Sequence, residues 1–550
     1  MASVPISERT QVFRSASLIG LLTLVSRVLG MARDVFSAAV FGAGAVWDAF
    51  IIAWTIPNLF RRLFGEGALA SSFIPVYAEA VERGPSERPI KVLNGTLGSL
   101  LLVLGVIVVA GVGICYFLPA VLEGPGGDGK LTLTLRLTAL LIPYLLFICI
   151  TALFSAVLNV HRRFAASAAG PAVLNVIWIA GLAVAWWGLR HHPERRIYVV
   201  GVFLLVGGIA QVLVLLPQLV RKLGFPRPRP SLADPDVRRI GALALPVIFG
   251  LAILQLNVLA DRLIAEFFVP RHGAVSALYY GNRLIQFPLG IIGIAVSTAA
   301  FPLFSRLAAR GDLAGLKRVF RGALQGTFFL ALPSAAGLIL LSTPVVALLF
   351  SHGAFARHGA TERTALVVAL YAVGLPAYTL LSGTARVFHA MKDTRTPTRT
   401  AVFALVVNLA LNLSLVWSLG EAGLALATSL TAFLQVFVLL FLLRGRIGFR
   451  PLTDLLRPAG KAVVSTAVMA VAVWLLWTFL PILRGEGLSA RFARIAVVIG
   501  TGVAVYFGTA LLLRDANLAV LRRGAFGRMD RGRPDAGAGE RLPDGFEDEV

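Results

Sequence analysis

Arg27, Arg33 and Asp34 interrupt an apolar run from Leu18 to Phe41, inside the stretch SRVLGMARD. A charge near the centre of a bilayer costs about 2.5–3.5 kcal/mol on insertion scales, so such residues face a protein interior or a wet cavity and mark function. Arg27, Gly30, Met31 and Asp34 follow an i, i+3, i+4, i+7 spacing, which puts Arg27 and Asp34 on one helix face. Arg33 points elsewhere unless Gly30 bends the helix. The next run, WDAFIIAWTIPNLFRRLFGEGA, supplies Asp48, Asn58, Arg61, Arg62 and Glu66. Asn58 and Arg61 share a face, Pro57 permits a kink, and Arg62 with Glu66 is an i, i+4 pair that would also serve as an interfacial anchor. Far along the chain, Ser276, Asn282, Arg283 and Gln286 surround one charge in SALYYGNRLIQ, where no acidic residue within four positions neutralises Arg283.

Arg27, Arg33, Arg61 and Arg283 thus come from three runs in two halves of the chain. Guanidinium groups stay charged and offer forked donors that match phosphate oxygens, so an anionic, phosphorylated substrate is expected. The competing expectation is that these arginines only pair with Asp34, Asp48 and Glu66; the bases outnumber the acids. A second polar group holds Asn257 with Asp261, Asn408 with Asn412 in VVNLALNLSL, and Thr428. Oxygen ligands with the Asp261 carboxylate suit a hard monovalent cation, while interhelical hydrogen bonding, or an arginine partner for Asp261, accounts for them equally well. No HExxH, GxSxG or P-loop pattern occurs. The GPGGDGK segment lacks the Lys-Ser/Thr ending and reads as a tight external loop.

The elements that must position these residues are membrane helices. The 550 residues are 57% hydrophobic and 14% charged, with mean hydropathy +0.82, more apolar than a soluble chain. The net charge of +23 is spread through connections with no aromatic-interleaved groove, which excludes a nucleic-acid surface. Cys115 and Cys149 each lie in an apolar run and form neither a disulfide framework nor a metal cluster. At roughly 20 residues per crossing, the runs give fourteen spans with both termini on one side. Inner connections carry about 24 basic residues against about 9 outside when the termini are cytoplasmic, RHHPERR (190–196) being the main exception.

The expected organisation is an N-terminal segment 1–16, spans 1–6 over 17–220, spans 7–12 over 241–443, spans 13–14 over 460–514, and a disordered tail 515–550. LNVHRRFAASAAGPAVLNVIWIAG echoes FHAMKDTRTPTRTAVFALVVNLAL, and Pro57 with Pro75 echoes Pro288 with Pro302, at offsets of about 230 residues. Two six-helix repeat lobes around a central cavity, with two appended helices, make an all-α polytopic membrane protein. Such repeats suggest a transporter with its site between the lobes.

SRVLGMARD, FGAGAVWDAF, IPNLFRRLFGEGALASSFIPVYAE, YYGNRLIQFPLGIIGIAVSTAAFPLFSR and MKDTRTP resemble the MurJ/MviN lipid II flippase family of the multidrug/oligosaccharidyl-lipid/polysaccharide exporter superfamily. The resemblance covers about residues 15–515 and implies export of undecaprenyl-pyrophosphate-linked disaccharide-pentapeptide for peptidoglycan synthesis across the bacterial inner membrane. It implies a monomeric carrier in the lipid bilayer that works alongside cell-wall synthesis proteins, without nucleic acid or an organic cofactor. Its cavity residues fall on Ser26, Arg27, Arg33, Asp34, Asp48, Asn58, Arg61, Glu66, Ser276 and Arg283, with Asn282 beside them. Family members often have acids where this chain has Asn282 and Gln286, which leaves Arg283 more positive. Sodium or proton coupling, where present, belongs with Asp261, Asn408, Asn412 and Thr428. The lipid tail is expected along spans 13 and 14. A flippase for another polyprenyl-linked glycan, or a multidrug/cation antiporter, are the alternatives.

Overall fold

Apolar runs of this length become helices because lipid offers no partner for backbone amides, and a helix satisfies them within the segment. The computed structural model describes residues 6–122, 129–189, 192–357, 359–479 and 487–518. Among these every long element is helical. The first half holds α1 (Ile6–Phe41), α2 (Ala45–Phe60), α3 (Leu69–Arg83), α4 (Arg88–Leu122), α5 (Lys130–Leu141), α6 (Tyr144–Val160), α7 (Phe164–Gly188) and α8 (Pro193–Leu223). The second holds α9 (Pro235–Phe268), α10 (Ala274–Pro288), α11 (Ala295–Ala309), α12 (Leu313–Leu340), α13 (Ser342–Phe350), α14 (Ala360–Val373), α15 (Leu375–Ala390), α16 (Arg395–Leu419) and α17 (Glu421–Ile447). α18 (Arg457–Phe479) and α19 (Leu488–Leu512) come last, packing on each other and, through α18, on α12.

Among the described residues, eleven helices are long and apolar enough to cross a membrane, or twelve if α14 and α15, bent by 42°, form one span. The expected fourteen differ because α1 and α2, which carry the intramembrane charges, are not among them. α1 also starts at Ile6, well before the expected Ser17. Most of the expected tail, residues 519–550, and most of the GPGGDGK loop lie outside the described residues, as do Arg190 and His191.

The backbone repeats itself. After Pro57 the chain opens into a wide, π-helical turn at Arg61–Ala68, and after Pro288 into another at Leu289–Ile294. A proline lacks the N–H of the regular ladder, so the helix has to rearrange near it. α6 ends with Arg162 in the left-handed region, φ 57°, while Arg163 N–H donates to the Leu158 carbonyl. The same turn recurs 230 residues later, with Lys392 at φ 62° and Asp393 N–H donating to Phe388.

Burial separates core from lipid face. α2 is buried from Trp47 to Thr55, with Trp47 stacked on Phe50 and Trp54 edge-on to Trp178. α4 by contrast presents Val106, Val109, Ile114 and Phe117 outward. Contiguous exposed apolar side chains on a long helix face lipid. α1 lies against α7, α2 against α5, and α10 against α14, while α9 touches α3 and the Arg61–Ala68 turn on one side and α16 on the other.

Candidate functional site: an arginine-lined cavity

A cavity of about 720 Å³ lies between the two halves, lined from α1, α2, α6, α7, α8, α9 and α10. That is a volume suited to a small organic ligand or part of a larger one. Six arginines line it: Arg27, Arg33, Arg61, Arg62, Arg262 and Arg283. Among the described residues, Asp261 is the acid on the lining.

Arg33 is where the structure departs most from the helix-face argument. α1 runs unbroken through Gly30, yet Arg33 is buried. Its Nε and Nη2 donate to Asp34 Oδ1 at 2.9 and 2.6 Å, its Nη1 donates to Asn175 at 3.0 Å, and its guanidinium lies 4.2 Å from the Trp178 ring centroid. The cavity wall extends round to α7, so more than one face of α1 is lined by protein. Asp34 also forms an ion pair with Arg283, Oδ2 to Nε at 2.7 Å, and accepts from the Tyr279 hydroxyl at 3.1 Å. Arg283 therefore does have an acidic partner, supplied from the other half of the chain where helix-local spacing offered none.

Gly30 serves this junction by absence: a Cβ there would lie 2.7 Å from Arg283 Nη2. Arg27 is different. Among the described residues no acidic side chain pairs with it, and it reaches across to Gly290 in the turn after α10, where a Cβ would lie 3.2 Å from its Nη1. Arg61 donates to Asn58 Oδ1 at 3.0 Å, as their shared face requires. Arg62 donates to Gln255 at 3.3 Å from the wide turn at Arg61–Ala68. The Glu66 side chain lies outside the described residues. Ser26 lines the cavity and its carbonyl accepts from Asn175 at 3.0 Å; Asn282 accepts from Gln286 at 2.6 Å.

Asp48 and Ser276 meet away from the cavity lining, a correction to their expected place with the arginines. Asp48 accepts from Gly273 N–H at 2.6 Å and from Ser276 N–H and hydroxyl at 2.9 and 2.6 Å, which caps α10 from the other half of the chain. Lys130 adds a bond to Asp48 at 3.3 Å and another to Glu266 at 2.7 Å. Gly273 sits at φ 94° with its would-be Cβ 2.5 Å from the Ala43 carbonyl, so the two halves close tightly at this end.

The second polar group is partly assembled. Asn412 donates to Asp261 at 2.6 Å and to Asn408 at 3.0 Å, and the Asn412 side-chain oxygen Oδ1 is buried without a partner among the described residues. Thr428 instead bonds back to Leu424, and Thr431 approaches Asn408. Arg262 went unsuspected beside Asp261. It donates across the cavity to Thr55 and to the Ile51 carbonyl at 3.3 Å, binding α9 to α2. Its sequence signal is an intramembrane charge directly beside Asp261.

A family model described as lipid II flippase MurJ matches residues 37–484. A probable lipid II flippase MurJ from Vibrio cholerae serotype O1 is 34% identical, over 93% of this chain and 98% of the relative. A lipid II flippase MurJ from Burkholderia cenocepacia is 33% identical over 90% and 96%. Among solved structures, a lipid II flippase MurJ in an inward closed conformation superposes with TM-score 0.74 at 26% identity, covering 90% of this chain and 99% of that one. An inward-facing multidrug resistance MATE family transporter shares the fold, with TM-score 0.63 at 13% identity, over 79% and 98%. With the family model covering most of its length and relatives above 30% identity along nearly all of it, this chain belongs to the MurJ lipid II flippase family.

Proposed function

We infer that this chain is a transporter, not an enzyme, which carries lipid II from the inner to the outer leaflet of the bacterial cytoplasmic membrane. The observation that carries this reading, beside the family, is Arg27: a guanidinium with no acidic partner among the described residues, in an arginine-lined cavity between two repeats. A pyrophosphate satisfies such donors, and forked guanidinium contacts favour its oxygens over a single carboxylate. The polyprenyl tail stays in lipid, along α18 and α19. Opening the end held by Asp48 and Gly273 releases the head group outward, with the termini cytoplasmic as the loop charges favour.

The membrane potential assists an anion leaving a negative interior by about 2.3 kcal/mol per charge per 100 mV. A sodium ion or proton at Asp261 and Asn412 resets the empty carrier. Another polyprenyl-linked glycan presents the same pyrophosphate. A carrier of cationic drugs needs acids where this cavity has arginines, and the likeness to the MATE transporter is one of fold.

Complementation of a lipid II flippase depletion, read as lipid II accessibility at the outer leaflet, tests the assignment. The wild-type chain restores growth and accessibility; Arg27→Ala abolishes both while folded protein is retained. Failure of the expressed wild type, or full rescue by Arg27→Ala, rejects the reading.

A further inference from the structure

Serine and threonine hydroxyls inside membrane helices usually bond back to the carbonyl one turn earlier. This chain follows the rule at Thr138, Thr327, Thr384 and Thr466, each donating at 2.7–2.8 Å to the carbonyl four residues before it. Two hydroxyls on the cavity lining break it. Thr151 Oγ1 on α6 and Ser167 Oγ on α7 are buried atoms with no hydrogen-bond partner among the described residues. Thr151 is 8% exposed. Ser155, one turn beyond Thr151 on the same face, lines the cavity too.

The backbone adds an acceptor. Pro171 lies inside α7 and has no N–H, so the Ser167 carbonyl lacks its helical donor. Nearby polar groups are already engaged: Gln211 donates to the Gly170 carbonyl at 3.0 Å and accepts from Tyr144 at 3.0 Å. The free hydroxyls are therefore neither solvating one another through Gln211 nor closing the helices locally. An unpaired buried hydroxyl carries a desolvation cost, which a ligand able to donate and accept would relieve.

The patch is uncharged and offset from Arg27. Asn175 bonds the Ser26 carbonyl and so marks the level of Arg27 on α7; Ser167 is two turns away, about 12 Å along the helix axis. We propose that Thr151, Ser155 and Ser167 form a second subsite of the cavity that binds the neutral, polyhydroxylated sugar part of the head group while the arginines hold its pyrophosphate. This rests on the lipid II reading above, which it deepens by dividing the cavity into an anion wall and a hydroxyl wall.

The test compares lipid II with undecaprenyl pyrophosphate, which carries no sugar, binding to the full chain in nanodiscs. The Thr151→Val, Ser155→Ala, Ser167→Ala triple variant is expected to lose about tenfold or more in affinity for lipid II and under twofold for undecaprenyl pyrophosphate. Thr151→Ser, which keeps a hydroxyl, is expected to bind lipid II as the wild type does, and single Ser155→Ala and Ser167→Ala variants to show intermediate losses if the triple variant does not fold. Unchanged lipid II affinity in the triple variant and in the single alanine variants, or equal losses for both lipids, overturns the subsite. A wild type that binds neither lipid overturns the functional reading instead.

Discussion

Asp34 carries more of the cavity's electrostatics than any arginine does, because one carboxylate serves Arg33, Arg283 and the Tyr279 hydroxyl. Asp34→Asn leaves the buried Arg33 without its counter-charge, and breaking a buried pair in this way costs about 3 kcal/mol or more. The expected outcome is a lower unfolding temperature in detergent, measured beside Arg27→Ala, which leaves no such orphan and unfolds near wild type. Gly30→Ala makes a separate prediction. The added methyl meets Arg283 Nη2 and displaces the guanidinium, so lipid II accessibility falls at least several-fold with little change in stability; unaltered transport rejects the close approach as functional. At this scale the sequence announced which residues are charged, and the 3.6-residue period placed Arg27 on the inner face. It left Arg33 off that face and Arg283 without an acid, because packing against α7 brings Arg33 in beside its neighbour Asp34 and the same Asp34 reaches Arg283 from the opposite half of the chain.

At the scale of elements, the proline-linked wide turns re-aim the helical segments beyond them. Arg61 and Arg62 sit at the first positions of such a turn, on the cavity lining. The turn before α16 shows a cap that titrates. Asp393 accepts from the Thr396 N–H at 3.0 Å and its hydroxyl at 2.7 Å, with Arg446 at 3.3 Å. The Thr396 backbone and hydroxyl bonds, with Arg446 adding, hold the Asp393 carboxyl below the usual aspartate range. A carboxylate whose acidity is raised by folding contributes stability above its unfolded value and loses it as pH falls through the lowered folded value. Asp393→Ala is thus expected to cost about 1 kcal/mol at neutral pH, and the gap from wild type to narrow in melts taken towards pH 3. A gap independent of pH contradicts the cap.

For the whole molecule, the end that includes Asp48, Lys130 and Gly273 and the opposite end, where Arg88 pairs with Asp236 at 2.9 Å and Arg239 with Glu79 at 2.8 Å, both hold the halves together. Alternating access requires these two sets to break in turn. The cation proposal belongs at this scale, since Asp261 on α9 and Asn412 on α16 are joined through their side chains. Sodium is expected to raise the unfolding temperature of the wild type and not of Asp261→Ala; an equal sodium effect in both rejects the site.

The amino-acid sequence by itself determined the membrane class, the helical segments, the internal repeat and the family, since these rest on apolar length, the periodicity of proline and basic turns, and motifs read in order. It also placed the arginines of α1, α2 and α10 at one cavity. Only the tertiary structure decided which arginines are neutralised, that Asp48 and Ser276 close one end instead of lining the cavity, that Arg262 spans it, and that three hydroxyls of α6 and α7 line a wall of it. The physical reason is that residues in different helices reveal their pairing only when packing sets their distance, and charges and hydroxyls in lipid are defined by that pairing.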